Sequence, residues 1–244
     1  SGSSKTSAKK TRPAVRAADR RTPKITTMPT KPKRKRATRK TKTVSRVKKT
    51  KLSIDDQLKQ TFEQYSEDGF IEGDNLLSFI EALSIEPDDL VLLVLMEQME
   101  CEDGVEIKWI EFERGMKKLH CTTVADIKNR LDGLRSTLAL PDVFEKIYKY
   151  AFKLNLQDNK KILDKDTAVA LWELLLADKF DLLEQWVEFV ETRADVKWIS
   201  KDVFFQLNSF RKQFNTKQDL LAWQDDGAWP CVVDDFVEHV TASK

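Results

Sequence analysis

The chain has 244 residues with 42 Lys+Arg and 40 Asp+Glu, but residues 1–50 hold 19 basic residues and one acid for a net +18, leaving 23 basic and 39 acidic residues and a net −16 in the remainder. Cys101, Cys121 and Cys231 are odd in number and far apart, with no C-x-x-C and no neighbouring His pair, which argues against a disulfide framework or a zinc site and for a reducing compartment. No apolar run approaches the roughly 18–20 residues of a membrane helix, and the first thirty residues lack the apolar core of a secretory signal, so a soluble intracellular protein is expected.

Residues 1–50 contain no Phe, Trp, Tyr, Leu or Cys and repel one another by like charge, so they are expected to be a disordered tail. The start at Ser1 without a methionine is consistent with a lost or replaced native N-terminus. Within the tail Lys31, Lys33, Arg34, Lys35 and Arg36 form a compact cluster that suits nuclear import, with some protein remaining cytoplasmic. Phosphate binding is the rival use of such a cluster, although no aromatic residue interleaves for base stacking.

From Ser53 the pattern becomes helical, with Ser53 and Asp56 at capping-box spacing ahead of Leu58, Phe62 and Tyr65. Further helices are predicted over 74–83, 87–99 with Pro87 in the first turn, 108–119, 123–138 and 141–156 opened by Pro141. The series continues with 164–177 capped by Asp164, 180–193, 200–213 capped by Ser200, and 230–241. Only six glycines follow residue 50 and no segment alternates with period two, which predicts an all-α domain over 51–241, subdivided near 140.

Gly69 and Gly104 sit in acidic loops between predicted helices, in helix-loop-helix units that look like degenerate EF-hands. With each glycine at loop position six, the first position is Gln64 or Met99 and the twelfth Asn75 or Ile110, so the strongest calcium ligands are missing twice. No metal and no cofactor is implied. There is no phosphate-cradling glycine loop and no nucleophile elbow. His120 beside Cys121 would face apart on a helix, so no enzyme active site is expected.

The closing stretch, Gln224 to Glu238, has a distinct design. Gly227 can take a backbone angle closed to other residues, Trp229 is pushed extended by the next residue, and Pro230 can open a helix. In that helix Val233, Phe236, Val237 and Val240 make one apolar stripe, which turns Asp234, Asp235 and Glu238 toward water. No Lys or Arg lies between 218 and 243, so the acids form a local negative field suited to a basic partner. On composition alone a solvated face is the first reading of these acids.

The string Asp-Gly-Ala-Trp-Pro at 226–230, followed by Cys231, Val232, Val233 and then Asp-Asp-Phe-Val-Glu at 234–238, resembles the signature closing the potentiating neddylation (PONY) domain of the "defective in cullin neddylation" family. The resemblance runs from about residue 55 to 241. It implies that Asp202, Ala228 and Asp234, with Asp235 and Glu238 beside them, dock a cullin's C-terminal winged-helix domain. It further implies that Leu76, Ile80, Leu92, Leu95, Met99, Ile107, Phe112, Leu154, Leu171 and Leu174 line a pocket for the acetylated N-terminal methionine of the neddylation conjugating enzyme. Acetylation removes the ammonium charge, so the chain end can enter an apolar slot without burying an unpaired ion. Trp223 and Gln224 depart from the family's usual tyrosine and acid. The implied function is a non-catalytic co-activator that joins conjugating enzyme and cullin, within RING-type cullin ligase complexes. The rival readings are a nuclear nucleic-acid-binding protein acting through its tail and a degenerate calcium-sensor-like module.

Overall fold

Several of the helices begin where a side chain satisfies the backbone donors that a first turn leaves over. The computed structural model describes residues 52–156, 161–224 and 227–242; the basic tail with its expected disorder and import cluster, and Asp225 and Asp226, lie outside the described residues. In α1 (Ile54–Glu63) the Asp56 N–H donates to the Ser53 hydroxyl at 3.1 Å and the Ser53 N–H to the Asp56 carboxylate at 3.4 Å, the expected box. The helices that follow are α2 (Gly73–Leu83), α3 (Leu90–Met99), α4 (Trp109–Leu119), α5 (Val124–Thr137) and α6 (Pro141–Leu154). Then come α7 (Lys165–Leu176), α8 (Leu183–Thr192), α9 (Lys201–Gln213) and α10 (Cys231–Ala242). Asp164 caps α7 through the Thr167 N–H at 2.9 Å and Ser200 caps α9 through the Val203 N–H at 3.2 Å; such caps are worth about 1 kcal/mol each. The protein is all-α in class, and no helix among the described residues is long and apolar enough to cross a membrane.

Three details depart from the sequence-based expectation. Pro87 lies in the turn before α3 instead of in its first turn; Asp89 is the cap, accepting from the Val91 N–H at 2.9 Å and held by Arg135 at 2.7 Å. α8 starts at Leu183, because Phe180 and Leu182 are buried in the turn that precedes it. Four three-residue strands pair antiparallel, β1 (Phe70–Glu72) with β2 (Glu106–Lys108) and β3 (Ile162–Asp164) with β4 (Trp198–Ser200). Each ribbon sets one buried pair opposite another, Ile71 facing Ile107 and Leu163 facing Ile199, and is too short to show alternation in sequence.

Each ribbon therefore joins two helix-loop-helix units. In the first half Phe62, Phe79 and Phe112 pack with ring centroids 5.3 to 6.2 Å apart. α3 and α4 come so close at Gly115 that a Cβ there would stand 2.3 Å from Met99 Cγ and 2.8 Å from Met99 Cα, so only glycine fits. In the second half Trp172 stacks on Phe204 at 5.5 Å, and its indole donates to the Tyr148 hydroxyl at 3.0 Å, which donates to the Phe204 carbonyl at 2.8 Å. All three residues are fully buried, and the chain of bonds satisfies both polar atoms of the core they share. α6 ties the halves together: Lys146 meets the buried Glu97 of α3 at 2.5 Å, and the Tyr150 hydroxyl donates to the Cys101 carbonyl at 3.0 Å.

Candidate docking sites

α10 buries the predicted stripe, with Val233, Phe236, Val237 and Val240 at most 6% exposed against Trp186, Phe189 and Phe210. Gly227 takes φ +71°, the left-handed region in which a Cβ is strained. The corner it makes is backed by rings: Trp229 lies 5.7 Å from Phe210 and 6.0 Å from Trp223, and Trp223 lies 5.1 Å from Phe214. Trp223, which departs from the family pattern in sequence, is thus the centre of the aromatic wedge under the corner. Only the packing shows this, because its partners come from α9 and from beyond Gly227.

On this frame Asp202, in the first turn of α9, Ala228 and Glu238 are exposed, while Asp234 and Asp235 are half-buried. The acids are not equivalent. Asp235 was expected to turn to open water, but its carboxylate accepts from the guanidinium of Arg193 at the end of α8, which also holds Asp195 at 2.7 Å. Bonds to Asp195 and Asp235 hold the Arg193 guanidinium well above its ordinary range. A cation from 42 residues earlier in the chain therefore offsets part of the field read from residues 218–243. The half-exposed Trp198 of β4 precedes α9 and adds an aromatic surface near the start of the helix that carries Asp202; sequence reasoning assigned it no role.

The ten apolar residues of the expected methionine pocket divide by burial. Ile80, Leu95, Met99, Ile107, Phe112, Leu154 and Leu171 are core residues at most 7% exposed, and Leu76, Leu92 and Leu174 are half-buried against that core. Ile80 also borders a groove of about 490 Å³ with Leu77, Glu81, Ile85 and Pro87. Leu77 is 49% exposed and offers the apolar surface on α2 that the sequence reading passed over.

The acidic loops are closed by their own hydrogen bonds. Glu67 and Phe70 exchange two backbone bonds of 2.9 Å around Asp68 (φ 51°) and Gly69 (φ 90°), a two-residue Asp-Gly hairpin turn with both central residues left-handed. The loop at Gly104 is pinned by the buried Glu111, whose carboxylate accepts the N–H of Glu102 at 2.9 Å and of Lys108 at 2.8 Å. His120 ends α4 in an exposed left-handed position, whereas the Cys121 thiol is buried and burial pushes its pKa up.

Fold and corner together define a mainly helical protein with an aromatic-backed turn ahead of its terminal helix. The profile of the family described as "Cullin binding" matches residues 126–239, from the first turn of α5 to α10, and so encloses the corner. The chain is 32% identical over 177 residues to human DCN1-like protein 4, covering 72% of this chain and 60% of that protein. It is 33% identical over 165 residues to DCN1-like protein 4 of Drosophila melanogaster (68% of this chain, 65% of that one) and 29% over 177 residues to bovine DCN1-like protein 5 (72% and 74%). The chain thus carries a cullin-binding match over 126–239 and is similar to DCN1-like proteins over 68–72% of its length.

Proposed function

We propose that the chain is a non-catalytic co-activator of cullin neddylation. It holds the cullin's C-terminal winged-helix domain at the acidic corner and the acetylated N-terminus of the conjugating enzyme in the apolar helix pairs, which we read as metal-free EF-hand-like units. The rate gain comes from bringing the acceptor lysine to the thioester in a productive orientation, while the bond-making groups belong to the conjugating enzyme. The observation that carries this reading is the overlap of the cullin-binding match, 126–239, with the exposed Asp202, Ala228 and Glu238. A basic partner surface meets these acids, and the small Ala228 permits close approach. RING-type cullin ligases are the assemblies it serves. The cluster Lys31, Lys33, Arg34, Lys35 and Arg36 directs the protein to the nucleus, with some left in the cytoplasm.

A purified transfer reaction with a thioester-charged conjugating enzyme and a cullin C-terminal domain tests this. The chain is expected to accelerate modifier transfer when the enzyme's N-terminal methionine is acetylated, and far less when its amine is free, because burying that charge costs several kcal/mol. Equal acceleration by both forms contradicts the pocket, and no acceleration by either contradicts the function.

A further inference from the structure

A second surface has the opposite charge. The α5–α6 linker, the start of α6, the α7–α8 loop and the end of α9 enclose a groove of about 430 Å³ bordered by Leu138, Pro141, Phe144, Lys179, Arg211 and Lys212. Two cations share one ring there: Lys179 Nζ lies 4.7 Å and Arg211 Cζ 5.1 Å from the centre of Phe144. Arg211 is half-buried, and its protein partners are neutral, the Asn208 side-chain oxygen at 2.9 Å and the Lys179 carbonyl at 3.2 Å. Two of its five N–H donors are used, and among the described residues neither Arg211 nor Lys179 forms an ion pair. Lys212 meets Glu145 at 2.9 Å, but that carboxylate is already shared with Lys149 at 2.6 Å. Three cations therefore border one apolar groove with half a carboxylate between them.

A partly desolvated guanidinium with free donors fits a carboxylate, which takes two parallel N–H bonds from it. We propose that this groove docks an acidic segment of a partner protein. An Asp or Glu carboxylate pairs with Arg211 in the field of Lys179 and Lys212, and the adjoining apolar side chain of the segment covers Leu138, Pro141 and Phe144. A bare phosphate satisfies the cations but leaves that apolar wall in water. The groove and the acidic corner ask for partner surfaces of opposite sign, so this docking is independent of the cullin contact.

The test is an NMR titration of the isotopically labelled full chain with the peptide acetyl-Glu-Asp-Leu-Asp-Glu-Phe-amide. Parallel titrations use the same peptide with Gln and Asn for Glu and Asp, and inorganic phosphate. The acidic peptide is expected to give saturable shifts at the Arg211 side-chain N–H and at the amides of 138–140, 142–144 and 179, with affinity at least tenfold above the neutral peptide and above phosphate. Arg211→Gln and, separately, Lys179→Gln should each weaken it severalfold. Lys179 lies in a loop, so its variant keeps the test valid if Arg211→Gln unfolds. Equal affinity for the neutral peptide, equal affinity for phosphate, or shifts that map away from this groove each overturn the proposal.

Discussion

Arg193, at the end of α8, is bonded through its guanidinium to the Asp235 carboxylate on α10 and through the same group to Asp195 at 2.7 Å. The terminal helix is thereby fastened at one acid and left wet at another. Asp235→Asn should cost about 1 kcal/mol of stability, the upper end for a partly exposed pair, whereas Glu238→Gln should stay within about 0.5 kcal/mol. Urea unfolding of the two variants distinguishes them, and equal midpoints contradict a fastening role for Asp235.

Two helical glycines should respond in opposite directions to the same change. At Gly133 of α5 nothing lies within 4 Å of an added Cβ, so Gly133→Ala should stabilise by about 0.5–1 kcal/mol through the helix preference for alanine. At Gly115 the new methyl meets the Met99 backbone, and overpacking of about 1–3 kcal/mol exceeds that gain, so Gly115→Ala should lower the thermal midpoint.

Thiol chemistry should report burial directly. Cys101 is buried, and desolvation with the nearby Glu111 charge pushes its thiol up to about 12; Cys121 is buried and also raised, while Cys231 at the start of α10 is exposed. In the native protein at neutral pH one thiol should react promptly with an aromatic disulfide reagent, and all three in denaturant. Two prompt native thiols would contradict the packing around α3 or α4.

Acid should weaken the fold in a defined window. Bonds from Lys149 and Lys212 hold Glu145 down to about 2 from an ordinary 4.5. At Asp89 burial acts to raise the carboxyl, but Arg135 and the Val91 N–H more than offset it and leave it lowered. Carboxyls depressed on folding contribute stability that is complete above their unfolded values and is lost as pH falls through the folded ones. Stability should therefore be flat between about pH 5 and about pH 8 and decline from roughly 4.5 toward 2, with a shallower decline in Asp89→Asn. An unchanged slope in that variant contradicts the Asp89–Arg135 linkage.

The parts of the fold legible in sequence were those encoded within a few residues: the Ser53, Asp164 and Ser200 caps, Pro141 at the head of α6, and the stripe of α10. What escaped was nonlocal. Arg193 and Asp235 are 42 positions apart, Trp223 acquires its role only from Phe214 and Trp229, and the two ribbons are three residues per strand. The sequence places Pro87 in a helix because a proline suits both a first turn and the turn before it. The expected pocket was the least legible feature, since periodicity marks Met99 or Phe112 as apolar and inward without separating a core wall from a groove wall.

The acidic corner carries the functional account. Reversing Asp202 or Asp234, or enlarging Ala228, sets like charge or bulk against a basic partner at a contact where breaking a pair costs about 2–5 kcal/mol, while the buried side of α10 is untouched. The decisive measurement is affinity for the cullin winged-helix domain of Asp202→Lys, Ala228→Arg and Asp234→Lys, beside Asp166→Lys on the exposed start of α7, with unfolding midpoints as the control. Binding should fall at least tenfold in the first three with folding retained, and stay near the parent value in the fourth. Parent-like binding by the first three contradicts the account.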